Sequence, residues 1–87
     1  MNLLFHKKFK KEYKTLRKGE RIKVQARLEI FVANPYQAVL NNHPLKGKYE
    51  GYRSLSMAHD LRAIYKMISK DTAYFITLGT HTELYHS

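Results

Sequence analysis

Hydrophobic and polar positions divide the chain into a helical first third and a strand-rich last third. "MNLLF" is a short apolar run that predicts a strand. In "HKKFKKEYKTLRKG", Phe9, Tyr13 and Leu16 recur at i, i+4 and i+7, and lysines fill most of the other positions. This spacing predicts an amphipathic helix, and Gly19 is expected to end it.

The next segment, "ERIKVQARLEIFVANP", has an ambiguous pattern. Ile22, Val24 and Ala26 alternate with polar residues, which is typical of a strand, and the alternation continues to Ile30. The run is long, however, is rich in good helix formers and ends at Asn-Pro. We therefore predict a second helix that forms a hairpin with the first and lays one face on a sheet.

Strand patterns fill the last part of the chain, after a loop-rich segment that holds both prolines. Apolar and aromatic runs predict strands at 52–57, 61–69 and 72–78, and "SKDT" predicts the turn of a hairpin between the last two. The order β-α-α-β-β-β predicts a single α+β domain over residues 1–87. In this fold a two-helix hairpin packs on one face of a mostly antiparallel, four-stranded twisted sheet, and the other face is free to bind a partner.

Charge is concentrated in the predicted helices. The net charge is +9, and up to Arg27 the chain holds ten Lys and Arg residues against two acids. Such a field attracts polyanions, although a lysine face that only keeps a small protein soluble explains the same run. The chain has no cysteine, which excludes disulfides and thiolate chemistry. Since no apolar run approaches the ~18 residues of a membrane span, we expect a cytoplasmic protein without membrane contact.

The candidate chemical groups are histidines, acids and cations near the predicted strand ends. The five histidines are His6, His43, His59, His81 and His86. The first and the last of them are interpreted as structural or disordered residues, and His86 with Ser87 as a plain tail. Their spacing is not that of a metal site, and no G-x-S-x-G is present, so neither a metal nor another cofactor is expected. RNA cleavage suits these groups, because ribose carries its own 2′-OH nucleophile, His or Asp can move protons, and Arg or Lys can stabilise charge.

Each candidate also has an ordinary structural explanation. His43 can bond a backbone carbonyl in a loop, and Lys46 can belong to a turn. Asp60 can hold Arg62 in an ion pair, and two positions of spacing on a strand would put both on the same face. Tyr85 can be a terminal core residue. Composition and spacing leave these alternatives open.

The order and spacing of several motifs resemble a known family. "NNHPLKGKYEGYRSLSMAHDLRAIYKM" followed by "LGTHTELY" resembles the RelE/YafQ superfamily, the toxin halves of bacterial type II toxin–antitoxin pairs. The motifs "HPLKG", "GYR" and "GTHTELY" are most similar to the YafQ branch, and the resemblance extends over nearly the whole chain. It implies a ribosome-dependent endoribonuclease that cuts mRNA in the decoding site without a metal.

The resemblance implies catalytic roles for four residues. His81 matches the principal proton-transfer residue, the general acid, and His43 matches a second histidine of the YafQ branch. Asp60 matches an acidic residue that assists acid–base catalysis. Arg62 resembles a strand arginine of the RelE branch that favours the charge of the transition state. We hypothesise that Arg62 compensates for a histidine that YafQ-like toxins carry and this chain lacks.

The resemblance also implies substrate contacts. Tyr85 stands where YafQ-like toxins have an aromatic residue that stacks on an mRNA base, and Arg53 and Lys46 are expected to contact phosphates. The histidine of the YafQ branch that this chain lacks corresponds to Ser56. The nearby His59 is a further candidate for substrate binding, but on a strand its ring would point to a different face.

The implied partners are the ribosome, mRNA and an acidic, partly disordered antitoxin. Contact with DNA is expected only through the antitoxin complex. One alternative is a non-catalytic toxin of the ParE kind, which shares the fold and inhibits DNA gyrase by binding. Another is a plain RNA-binding module or an inactive relic. His81 together with Asp60 and His43 favours the nuclease, because ParE-like chains are expected to lack the catalytic histidine.

Overall fold

The structure, a computed structural model, describes residues 1–85; His86 and Ser87, interpreted above as a plain tail, lie outside the described residues. The elements in chain order are β1 (Asn2–Phe5), α1 (Lys7–Lys14), α2 (Lys18–Ala33), β2 (His43–Pro44), β3 (Arg53–Ser56), β4 (Leu61–Ser69), β5 (Thr72–Thr80) and α3 (His81–Tyr85). Single turns of 3₁₀ helix lie at Ala38–Leu40 and Gly47–Tyr49. No helix within residues 1–85 is long and apolar enough to cross a membrane.

The strands form one sheet in the order β1-β5-β4-β3-β2. β1 pairs parallel to β5, and every other pairing is antiparallel. The predicted α+β class and the β4–β5 hairpin are confirmed. The predicted number of four strands is wrong, because His43–Pro44 adds a fifth at the edge beside β3. A strand of two residues is too short to show alternation, so no periodic pattern could reveal it.

The second helix is also confirmed, but the prediction that Gly19 ends the first helix is wrong. Gly19 lies in the first turn of α2, and α1 ends before it with Thr15 as its C-cap. The backbone N–H of Arg17 donates a hydrogen bond of 3.2 Å to Oε1 of Glu20. An acidic side chain that satisfies the N-cap in this way is a helix-start signal, and it outweighs the glycine.

One face of the sheet packs against α1 and α2 and is called the helix face. Strand register and alternation place Leu55, Ala63, Tyr65 and Phe75 on it. The ring of Phe31 in α2 lies 4.9 Å from Tyr65 and 5.6 Å from Phe75, centroid to centroid. These side chains are buried and form the centre of the core.

The other side of the sheet is called the opposite face and carries the alternate positions of β3 and β4, which are Ser54, Ser56, Arg62, Ile64 and Lys66. A Cβ added to Gly79, the partner of Arg62 in β5, would lie 3.3 Å from Cδ2 of Leu84. α3 therefore packs over this face. The 3₁₀ turn at Gly47–Tyr49 lies beside α3, since the Tyr49 and Tyr85 rings are 5.9 Å apart. Two short segments thus cover part of the face that was predicted to be free.

A carboxylate fastens α1 to β5. Glu12 accepts hydrogen bonds of 3.0 Å from the hydroxyl of Thr77 and from the backbone N–H of Leu78, and its Oε2 lies 3.3 Å from Nζ of Lys8. β5 bulges at this point, because Phe75 and Thr77 pair with consecutive residues of β4. β1 pairs with β5 only as far as Phe75, so the backbone N–H of Leu78 has no partner on β1 and needs another acceptor. Glu12 supplies one and thereby fixes the strand that leads into α3.

Candidate active site

The end of the sheet where β5 passes into α3 collects several of the predicted site residues. Leu61 pairs with Thr80 at this end. Asp60 directly precedes Leu61 and His81 directly follows Thr80, so the two flank the same antiparallel pair. Asp60 lies in the bend before β4 rather than in the strand, so the alternation expected to place it with Arg62 does not apply.

Reciprocal hydrogen bonds set the start of α3. The backbone N–H of Thr80 donates to Oε1 of Glu83 at 2.7 Å, and the N–H of Glu83 donates to Oγ1 of Thr80 at 3.2 Å. This is a capping box, and its signature "THTE" is a local signal in the sequence. The helix places exposed His81 one turn from Tyr85, with their ring centroids 4.8 Å apart.

We expect Glu83→Ala to lower the free energy of unfolding by about 0.5–1.5 kcal/mol, the usual net contribution of one hydrogen bond. The N–H of Thr80 would lose its acceptor, and α3 would fray. Glu83→Gln keeps an acceptor oxygen and is the matched control, since glutamine also forms capping boxes. Urea unfolding of both variants checks this. Equal stability of Glu83→Ala and the unaltered protein would show that the capping box does not hold α3.

His43 reaches the opposite face through the short edge strand. It pairs with Ser54 in β3, and Nδ1 of its ring lies 2.7 Å from the carbonyl oxygen of Asn41. A carbonyl oxygen only accepts, so in the neutral ring Nδ1 carries the hydrogen and Nε2 keeps a free lone pair. Asn41 has φ 46°, a left-handed conformation that asparagine tolerates, and this turn aims its carbonyl at the ring.

Arg62 lies on the same face as His43 and has an unsatisfied donor. Its Nη1 is buried and has no hydrogen-bond partner among residues 1–85, and the same holds for Oγ of Ser54. A buried donor without an acceptor is costly, and the guanidinium is a charged, forked donor suited to phosphate oxygens. Arg62 therefore places a positive charge on the opposite face, which is the kind of group that attracts a phosphate.

Arg53 is not brought to this site. It pairs with Tyr65 on the helix face, and its Nε donates a hydrogen bond of 2.7 Å to Oδ1 of Asn42. Its guanidinium carbon lies 5.6 Å from the ring centroid of Tyr36. Asn42 also donates to the hydroxyl of Tyr65, and burial raises the pKa of that phenol above its ordinary value. The sheet thus separates Arg53 from Arg62.

His59, Asp60 and Lys46 are exposed. His59 and Asp60 line a cavity of about 470 Å³ together with Lys23 of α2 and Thr80, next to the start of α3. Lys46 directly precedes the 3₁₀ turn that lies beside α3. Among the residues described here, no group of three or more His, Asp or Glu side chains is placed to hold a metal ion.

A sequence comparison with known protein families gives a match along nearly the full chain. The model of the family described as "Bacterial toxin of type II toxin-antitoxin system, YafQ" matches residues 1–86. The mRNA interferase toxin YafQ of Escherichia coli K12 is 39% identical over 51 residues, which are 59% of this chain and 54% of that relative. The aligned part thus spans about half the length of the curated relative.

Solved structures agree with the family match. The crystal structure of YafQ from E. coli BL21(DE3) is similar with a TM-score of 0.79 and 26% identity, covering 97% of each chain. A chain of the E. coli DinJ-YafQ toxin-antitoxin complex gives a TM-score of 0.73 and 26% identity, covering 97% of this chain and 96% of that chain. The resemblance in the motifs is confirmed: the chain belongs to the YafQ family of bacterial type II toxin–antitoxin toxins.

Proposed function

We propose that this chain is an endoribonuclease that cleaves mRNA in the decoding site of the ribosome. The observation that carries the proposal is the gathering of proton-transfer groups and a cation around one end of the sheet. Asp60 and His81 flank the Leu61–Thr80 pair, and Arg62 lies on the sheet face that His43 also occupies. The name of the E. coli relative, an mRNA interferase toxin, supports the same activity.

The proposed reaction uses the ribose 2′-OH as the nucleophile. The 2′-oxygen attacks the adjacent phosphorus while Nε2 of His43 accepts its proton, and His81 donates a proton to the leaving 5′-oxygen. Asp60, beside His81, supports the proton transfers, which in enzymes contribute about 10²–10⁴-fold each. Arg62 donates to the phosphate oxygens on which negative charge develops. The step needs no metal, because the nucleophile comes from the substrate and the charge is met by the guanidinium.

Substrate binding is assigned to residues around α3. The Tyr85 ring, held beside His81, stacks on an mRNA base, and exposed Lys46 contacts a phosphate. Stacking of this kind contributes about 1–3 kcal/mol per base. Arg53 is left out of the proposed catalytic surface because it lies on the helix face. His59 lies in the same exposed bend as Asp60 and is given no step in the proposed reaction.

The positive charge of the two long helices indicates which partners the protein binds. The helices expose a set of lysines to solvent that includes Lys7, Lys10, Lys11, Lys14, Lys18 and Lys23. Contacts from such lysines to rRNA phosphates give affinity without sequence readout. An acidic, partly disordered antitoxin that folds on binding is the proposed regulator. The DinJ-YafQ toxin-antitoxin complex of E. coli supports an antitoxin as the partner.

Controlled expression of the chain followed by mapping of mRNA 5′ ends in ribosome fractions tests the proposal. We expect new ends in register with codons on ribosome-bound messages. Intact messages together with DNA damage would contradict the proposal and favour the gyrase-directed alternative.

A further inference from the structure

A cavity on the opposite face, called the tyrosine cavity, lies beyond Tyr85 from the proposed catalytic groups. Its volume is about 350 Å³, and its lining comes from segments far apart in the sequence: His6, Lys8, Tyr49, Tyr52, Tyr74, Ile76 and Thr77. Ligand pockets typically measure about 300–1,000 Å³, so this one suits a small group such as a single flat ring system.

A series of aromatic rings connects this cavity with the candidate active site. The ring centroids of Tyr85 and Tyr49 are 5.9 Å apart, and those of Tyr49 and Tyr52 are 6.4 Å apart. Both pairs have edge-to-face geometry. An edge-to-face pair covers the face of only one of its two rings, and Tyr52, Tyr74 and Tyr85 are each only partly buried, so part of their surface remains for a flat partner. The series begins one helical turn from His81.

Lysines without acidic partners accompany these rings. Nζ of Lys48 lies 5.3 Å from the centroid of Tyr49, and Nζ of Lys66 lies 5.1 Å from that of Tyr52. Within residues 1–85 the one salt bridge joins Lys8 to Glu12, so neither Lys48 nor Lys66 has its charge neutralised by a carboxylate. Aromatic rings interleaved with free cations are the pattern of surfaces that bind single-stranded nucleic acid by stacking and phosphate contact.

We propose that the tyrosine cavity is a subsite for a base of single-stranded RNA. The base belongs to a nucleotide beyond the one stacked on Tyr85, and its ring contacts Tyr52 and Tyr74. The connecting backbone follows Lys48 and Lys66. The inference rests on the proposed function, since it extends the path of the mRNA away from His81. The unneutralised lysines favour a polyanion over an uncharged apolar ligand.

Fluorescence anisotropy with a labelled, fully 2′-O-methylated oligoribonucleotide tests the subsite, because such an RNA has no 2′-OH and cannot be cut. We expect Tyr52→Ala and Tyr74→Ala each to raise Kd about 5- to 150-fold, the range for loss of one stacked base. Lys66→Gln is a second test that leaves every ring in place. It should weaken binding and reduce the slope of log K against log salt by about 0.7, as expected for one lost phosphate contact on a single strand.

Control variants distinguish the loss of base stacking from the loss of the fold. Tyr52→Phe keeps the ring and should keep the Kd, while Tyr36→Ala removes an exposed tyrosine whose ring lies beside Arg53, away from the cavity, and should also leave it unchanged. Circular dichroism of every variant shows whether the fold is kept. If Tyr74→Ala unfolds, the Lys66→Gln and Tyr52 variants still decide the question.

The outcomes for the subsite and for the proposed function are distinct. Unchanged RNA affinity in Tyr52→Ala and Lys66→Gln would overturn the subsite, even if ribosome-bound mRNA is still cut. No binding of the RNA by the unaltered protein at low salt would also overturn it. RNA affinity that falls as expected, in a protein that never cuts mRNA, would support the subsite and overturn the proposed nuclease. Loss of antitoxin affinity with unchanged RNA affinity would overturn the subsite and make the cavity a protein interface.

Discussion

Replacement of His81 by glutamine is expected to lower the rate of mRNA cleavage about 10²–10⁴-fold, the usual contribution of a general acid. The fold should persist, because the side chain is exposed at the first position of α3, and glutamine is a good helix former. Cleavage of a defined message on translating ribosomes gives the rate, and thermal unfolding by circular dichroism gives the stability. Together they separate a chemical defect from a folding defect.

Thr82→Gln is the matched control for this prediction. Thr82 is the next residue of α3, is also exposed, and receives the same new side chain. It should cut mRNA at nearly the rate of the unaltered protein. Growth arrest and mRNA cleavage that survive in His81→Gln would remove His81 from the mechanism.

The start of α3 could have been predicted, whereas the edge strand could not. "THTE" is a local signal, because the threonine and glutamate that satisfy each other's N–H groups stand three residues apart. His43 depends instead on a long-range pairing with Ser54. A two-residue strand offers no period, so nothing in the sequence could show that His43 shares a sheet face with Arg62.

The separation of the two arginines has a similar cause. The sequence shows that both stand in strands, but the face that each occupies depends on register, and a slip of one residue would exchange the faces. In the structure Arg53 opposes Tyr65, which packs on α2, while Arg62 opposes Ser56 and lies on the other side. Asp60 does not follow the alternation that was expected to place it on the same face as Arg62, because β4 begins one residue after it.

Arg62 combines a cost to stability with the catalytic role that we propose for it. Its Nη1 is buried without a hydrogen-bond acceptor in the described part of the chain. A buried donor without an acceptor typically lowers the free energy of unfolding by about 1–3 kcal/mol. The needs of folding alone therefore do not explain why this arginine is present. We expect the delocalised charge of the guanidinium to attract a phosphate bound beside it, and to do so more strongly as negative charge grows in the transition state. Activity and stability should therefore respond to its removal in opposite directions.

Arg62→Met is expected to lower the rate of mRNA cleavage about 10²–10³-fold, the effect of removing one donor to a developing oxyanion. Methionine keeps an unbranched stem that fills the space and removes the unpaired donor. The free energy of unfolding should therefore stay the same or rise by up to about 1–3 kcal/mol. Cleavage on ribosomes and urea unfolding measure the two effects on the same preparation.

Arg27→Met gives the contrasting pattern and serves as the control. Nη1 of Arg27 donates to the carbonyl oxygens of Val39 at 3.1 Å and Ser56 at 2.8 Å, so this arginine is satisfied inside the fold. Its loss should lower the free energy of unfolding by about 1.5–3 kcal/mol, the range for hydrogen bonds to charged groups, and leave cleavage close to normal. Full cleavage by Arg62→Met, together with loss of cleavage in His59→Ala, would contradict the proposed role of Arg62. His59, in the bend before β4, would then be the residue that replaces the histidine of the YafQ branch.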